Sequence, residues 1–318
     1  MTTGVIEGLP PDPILERREM VQRVARKTLD RRILVSKGMI GLCGIALLVG
    51  LVPLFAILYS LVAKGVHWWS LDFFTKTPQF PSLLDPNQIG GISNAIVGSL
   101  VIDGIAALFA IPIGIVAGLF LAESTSKFAS LLRTTAEIMT GLPSILLGIF
   151  AYQMIVIGFD QWGIKLPGIG FSGIAGSFAI GILMIPIIMK ASETALRGVP
   201  NTIREAGLAL GARRGVVARR VIIPTAAPGL ITAVLLAFSR AVGETAPILW
   251  VIGASTVVAW NPKKEMASMP LQIFQSATSP YVSLREEAWG IALLLVVVVL
   301  IVNLGSRLFA AWLQRERR

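Results

Sequence analysis

The sequence predicts an all-α, polytopic membrane protein with six transmembrane helices. Three observations carry this. The composition is 54% hydrophobic and only 14% charged, against about 45–50% and about 25% in ordinary soluble chains. The mean hydropathy of +0.76 names a bilayer as the solvent. The lysines and arginines, which give a net charge of +10, fall between long apolar runs instead of forming one soluble patch. That distribution excludes a nucleic-acid-binding surface.

A helix crosses about 30 Å of hydrocarbon with about 20 apolar residues. The first candidate, 38–63, carries no charge between Lys37 and Lys64. It is too long, and too far from Met1, for a secretory signal peptide. The second runs over 94–122, interrupted only by Asp103. The third covers 135–159, with Glu137 near its start. The fourth, 173–188, is the shortest. The fifth covers 225–259 and holds Arg240 and Glu244. The sixth runs over 288–308. Around these spans lie an N-terminal tail (1–37), a core of five spans (94–308) with a long loop at 190–224, and a basic C-terminal tail (309–318).

An even number of spans puts both termini on one side. The two tails and the loops on that side carry 21 lysines and arginines; the opposite loops carry 6. The positive-inside rule therefore places both termini in the cytoplasm. Trp68, Trp69, Phe73, Phe74, Trp260 and Tyr281 in the outer loops suit the headgroup level. The N-terminal tail, with Pro10, Pro11 and Pro13 before a mixed-charge stretch from Glu16 to Lys37, reads either as a short helix on the inner leaflet or as a solvated tail.

The loop at 190–224 is too structured to be a mere connector. Pro200 suits a helix's first turn. Gly211 can end that helix in a left-handed turn. A second short helix is expected from Ala212 to Val221, with Pro224 breaking it. The loop is basic on one side and apolar on the other. It fits either an interfacial helix on lipid or a docking knob for a cytoplasmic partner.

Glu205-Ala206-Gly207, Gly211, Val221, Ile223 and Pro224 resemble the Glu-Ala-Ala loop of ABC-importer permeases, in which Glu-Ala-Ala is followed by a glycine, an isoleucine and Leu-Pro at these spacings. Gly207 replaces the second alanine, which is expected to loosen the helix by up to about 1 kcal/mol. Two further stretches, Ser239-Arg240 with Gly243-Glu244-Thr245-Ala246-Pro247 and Met269 to Ile273, join Gly141 to Gly148 of the third span. Together they resemble the Pst phosphate-importer permeases, the A-type subunit in particular. The resemblance covers about 31–314. It implies the type I ABC-importer permease fold. It also implies a coupling helix, with Glu205, Ala206, Gly207, Gly211 and Pro224, that sits in a groove of an ATPase subunit. The implied partners are a homologous second permease subunit, two copies of the ABC ATPase, an extracytoplasmic phosphate-binding protein and membrane lipid. The implied location is the bacterial inner membrane and the implied substrate is inorganic phosphate. A related oxyanion such as molybdate is the alternative.

Arg240 and Glu244 are spaced i, i+4 and so share a helix face. An arginine at mid-membrane costs roughly 2.5–3.5 kcal/mol on insertion scales. It is kept where it meets protein, water or a counter-charge. The pair is either a packing device or the lining of an anion path. A guanidinium fork suits phosphate oxygens, and Glu244 would keep the hold weak enough for release. Asp103 is a weaker candidate for the pathway, with a local packing pair as the other reading. Glu137 lies near the interface and is expected to be hydrated. Pro112, Pro143, Pro186 and Pro247 permit kinks within spans, and Gly141 and Gly148 permit close helix packing.

An intramembrane enzyme needs a nucleophile with its base, or a metal cluster. The one histidine, His67, and the one cysteine, Cys43, supply neither, so no metal site and no cofactor are expected. An oligomeric channel leaves the docking loop unexplained. No phosphate-binding Gly-x-x-x-x-Gly-Lys-Ser/Thr loop occurs, so ATP hydrolysis is expected on a separate chain. The sequence thus reads as a transport subunit and not an enzyme.

Overall fold

The structure is a computed structural model that describes residues 13–79, 90–160, 163–165 and 167–315. Pro10, Pro11 and the last three residues of the basic tail lie outside them. The described chain is helical: α1 (Pro13–Gly65), α2 (Leu71–Thr75), α3 (Ser93–Glu123), α4 (Lys127–Gly141), α5 (Ser144–Ala151), α6 (Gly173–Arg197), α7 (Asn201–Ala209), α8 (Arg214–Val217), α9 (Ile223–Val242), α10 (Met269–Ala277) and α11 (Val282–Arg315). Serine starts four of them. Ser70, Ser126, Ser172 and Ser268 each accept a backbone N–H three residues on, at the head of α2, α4, α6 and α10. Five helical stretches are long and apolar enough to cross a membrane. The α4–α5 pair, bent by 104°, makes a sixth if it is one span.

The chain divides into two units, 1–60 and 61–318. The first is α1 up to Ser60, whose Leu34, Ile40 and Val49 are all more than half exposed. Helix runs unbroken from Pro13 through Lys37 into the first span, so the mixed-charge stretch is helical and continuous with that span. No proline interrupts it before Pro53.

The second unit is built on α3 against α6. Ile102, Ala106 and Ala110 meet Ala179, Ile180, Met184 and Ile188 in a core that also takes Ala237 and Ala241 of α9. Small side chains at these crossings let membrane helices approach closely. Trp69 and Phe73 belong to a core as well: Phe73 is 3% exposed, and Trp69 Nε1 donates to the Gly290 carbonyl at 3.2 Å. Their role at the headgroup level is therefore secondary to packing on α11, whereas Trp260 is exposed.

Three expected spans change shape. Helix α6 continues past Ile188 to Arg197, so the connecting loop starts at Gly198, not at Lys190. The third span begins at Lys127 instead of Thr135 and breaks at Leu142–Pro143. Proline drives the residue before it out of the helical region, and Leu142 has ψ 141°. The fifth span ends at Val242, not at Ala259. Beyond it the chain folds back over the head of α6. Ser172 N–H donates to Val251 O, Met266 N–H to Ile252 O, and Ile174 N–H to Pro262 O. Val251 and Ile252 are fully buried there. Ile248, Val251 and Ile252 of this run are covered by protein, whereas Trp250, Val257 and Trp260 are exposed. Non-helical backbone at such depth is tolerated only under that cover.

Candidate functional site

The three stretches that carry the phosphate-permease resemblance meet in space. A Cβ added to Gly148 of α5 would stand 2.5 Å from the Pro247 carbonyl oxygen, so glycine is what lets α5 lie on the 243–247 turn. Thr245 Oγ1 in turn reaches the Pro270 carbonyl at 3.5 Å, tying the turn to α10. Gly141, by contrast, faces open space.

Arg240 stands in the last turn of α9, beside the α4–α5 break. It shares a small cavity of about 40 Å³ with Thr140, Leu142, Ser144, Leu147, Leu183 and Ile187. Its neighbour Ser239 donates its hydroxyl to Asn303 Oδ1 at 2.8 Å, which seats α9 on α11. The salt bridge to Glu244 runs through Nε, at 3.4 Å. Neither terminal nitrogen of Arg240 has a hydrogen-bond partner among the described residues. The Arg240 side chain is 57% exposed and that of Glu244 20%. Glu244 is not on the helix, which ends at Val242 with Gly243 as its cap; it reaches back from the turn. The first N–H groups of α5 point to the same break, and Pro143 provides no side-chain cap for them.

Asp103 does not join this group. It lies midway along α3, partly exposed, with no ion pair or hydrogen bond among the described residues. The local packing pair expected for it is absent from this chain's described part. Glu137 is exposed and sits 3.8 Å from Lys190.

At the opposite end of α9, Gly198 to Ile222 fold into a compact knob. Helix α7 packs Ile203 and Gly207 toward Val217, which is 3% exposed and shares one buried cluster with Leu196, Val199, Ile222 and Leu230. Gly207 is there for that approach: a Cβ would come within 3.0 Å of the Val217 methyls. The loss of helix propensity is therefore offset by tighter packing. Gly211 has φ +79° with nothing within 4 Å of a Cβ, so its need is purely conformational. Glu205, Ala206 and Leu208 are exposed, and Leu210 is 89% exposed at the tip. Pro224 does not break the chain. Helix runs from Arg214 to Val242, because a wide turn over Ala218–Ile222 absorbs the missing N–H at the head of α9.

Sequence reasoning missed the residues that hold this knob. Glu193 of α6, with a side chain 10% exposed, takes Arg133 of α4 at 2.7 Å and Arg197 at 3.0 Å. Both arginines also reach the Leu121 carbonyl near the end of α3. Arg204 of α7 pairs with Glu123 and donates to Leu196 O at 2.8 Å. The only legible signal was the i, i+4 spacing of Glu193 and Arg197. No group of three or more metal-ligating side chains occurs among the described residues.

A family model described as binding-protein-dependent transport system inner membrane component matches residues 110–318. The chain belongs to this family. Among relatives of this permease, the phosphate transport system permease protein PstA of Haemophilus influenzae is 38% identical over 277 residues, covering 86% of this chain and 93% of that one. PstA of Xylella fastidiosa is 38% identical over 280 residues, covering 87% and 93%. PstA 1 of Mycobacterium tuberculosis is 32% identical, covering 85% of each. A bacterial alginate ABC transporter bound to its periplasmic protein superposes with TM-score 0.57 at 15% identity, over 93% of this permease and 96% of that chain. The inward-facing MetNI methionine ABC transporter superposes with TM-score 0.52 at 19% identity, over 70% and 94%. At such identities the likeness concerns fold, and the fold is the ABC-importer permease fold.

Proposed function

We propose that this permease is the transmembrane subunit of an ATP-driven phosphate importer, with Arg240 in the anion's path. The observation that carries the role of Arg240 is the state of its guanidinium. Glu244 occupies the Nε edge and the two terminal nitrogens are left for a ligand. A planar fork of donors suits a tetrahedral oxyanion. Ser144 and the uncapped first turn of α5 supply further donors at the same break. The counter-charge of Glu244 weakens the hold, which transport requires. The names of the PstA relatives favour phosphate over molybdate. Asp103 has no place in this arrangement.

The exposed face of the α7 knob is the coupling surface for an ATPase subunit, with Glu205, Ala206, Gly207, Gly211 and Pro224 shaping it. The bias of 21 basic residues to 6 supports cytoplasmic termini, which puts the knob on the ATP side. The assembly is completed by a homologous second permease, two copies of the ATPase and an extracytoplasmic phosphate-binding protein. ATP binding closes the ATPase pair, draws the two knobs together and opens the path outward; hydrolysis resets it.

The test is uptake by the reconstituted complex. Phosphate uptake is expected to resist excess molybdate. The double variant Arg240→Met with Glu244→Gln is expected to assemble and hydrolyse ATP while uptake is lost. Removing both charges of a pair often leaves stability unchanged, so assembly is the control. Normal phosphate uptake by the double variant would reduce Arg240 to a packing residue.

A further inference from the structure

At the end of the molecule opposite the knob, the head of α3, α10 and the head of α11 enclose a cavity of about 440 Å³. Glu287 of α11 and Asn94 of α3 line it, with Gln272 of α10, the hydroxyl side chains of Ser276 and Tyr281, and the apolar side chains of Leu271 and Leu284. Glu287 is 1% exposed, and its Oε1 is buried without a hydrogen-bond partner. It has no ion pair among the described residues. Asn94 is 2% exposed. Its Nδ2 donates to the Ser255 carbonyl at 2.8 Å, which sets the amide's orientation and leaves Oδ1 buried and unpartnered. Both orphaned atoms are acceptors, so what completes the site is a donor.

The charge balance points the same way. Among the described residues, no lysine, arginine or histidine lines the cavity. The segment 80–89, which follows Gln79 at its rim, contains none either. Arg285 stands two residues from Glu287 but spends its Nη1 on the Ser279 and Pro280 carbonyls, at 2.9 and 3.0 Å. A buried carboxylate without a partner is costly, and the counter-ion is absent from the lining. A bare metal ion calls for several converging ligands, but no three His, Cys, Asp or Glu side chains cluster among the described residues, and Leu271 and Leu284 offer apolar wall. An aliphatic stem ending in a cation satisfies both surfaces at once.

We propose that this cavity binds a guanidinium or ammonium group carried on an aliphatic stem, with Glu287 as counter-ion and Asn94 Oδ1 as second acceptor. The group comes either from an arginine or lysine of the binding protein that docks on this face, a source that rests on the orientation proposed above, or from a free amine.

The probe is n-butylguanidinium, titrated into the intact purified complex in nanodiscs and followed by calorimetry. Saturable binding is expected, weakened about tenfold or more by Glu287→Gln, which keeps the shape and removes the charge. The uncharged n-pentanol should show no saturable binding. Should Glu287→Gln fail to assemble, Gln272→Lys is the substitute comparison, because a tethered ammonium in the cavity should exclude the probe. Displacement of the probe by added binding protein identifies the native occupant as a protein side chain; retention identifies a free amine. No saturable binding in the intact complex, binding unchanged by Glu287→Gln, or, in the substitute comparison, binding unchanged by Gln272→Lys overturns the site. None of these readings uses phosphate, so they stand apart from the uptake test.

Discussion

The two ends of α9 hold their charges in opposite ways. At the knob, Glu193 is buried and held by two arginines at 2.7 and 3.0 Å, and both arginines are tied again to the α3 carbonyl of Leu121. At the α4–α5 break, Arg240 is held by one carboxylate at 3.4 Å and is more than half exposed. The first arrangement is closed: donors and acceptors match and little is left for a ligand. The second is open. A cluster of the first kind transmits force between helices, since moving α7 or α6 moves α3 and α4 with it. A charge of the second kind is available to something that passes.

The largest expected effect therefore lies at the closed end. Glu193→Gln leaves Arg133 and Arg197 facing each other at the α3 terminus. Breaking one side of a buried pair costs about 3 kcal/mol, less here because both arginines are partly exposed. The melting temperature of the purified permease should fall clearly, and ATP hydrolysis should become less dependent on transported substrate. An unchanged melting temperature would mean that the cluster is an ornament of the surface.

A smaller effect is expected from Gly211→Ala. The site is sterically open but its φ of +79° costs an L-residue about 1–2 kcal/mol. Overall stability should drop by less than that, because α7 can refold locally. Retention of the ATPase subunit during purification is the sensitive measure, and it should decline. The smallest effect belongs to the open end. Glu244→Gln removes a pair of the exposed kind, worth about 0–1 kcal/mol. Thermal stability should stay within error while the rate of phosphate uptake falls, because Arg240 then releases the anion more slowly. A large loss of stability from this change would erase the contrast between the two ends.

Much of this was legible in one dimension because the bilayer imposes a simple rule. Any segment bare to lipid must be a long apolar helix, so the boundaries of α3 at Ser93 and Glu123 lie within one residue of those read from hydropathy. The left-handed glycine at 211 obeys local backbone chemistry. So does the family resemblance, which rests on contiguous residues such as Glu205 to Gly211 and Gly243 to Pro247.

Hydropathy cannot tell which solvent an apolar run faces. The stretch after Val242 is as apolar as a spanning helix, yet Val251 and Ile252 are buried under protein and not in lipid. Partners distant in sequence stayed hidden for the same reason that tertiary contacts always do. Arg133 and Glu193 are 60 residues apart, and neither has a local feature that announces the other. Glu287 is the extreme case. In sequence it is one of two adjacent acidic residues, Glu286 and Glu287, at the edge of an apolar helix. Only the packing of α3, α10 and α11 makes it a buried acceptor on a cavity wall, because burial is a property of what surrounds a side chain and not of the chain that carries it.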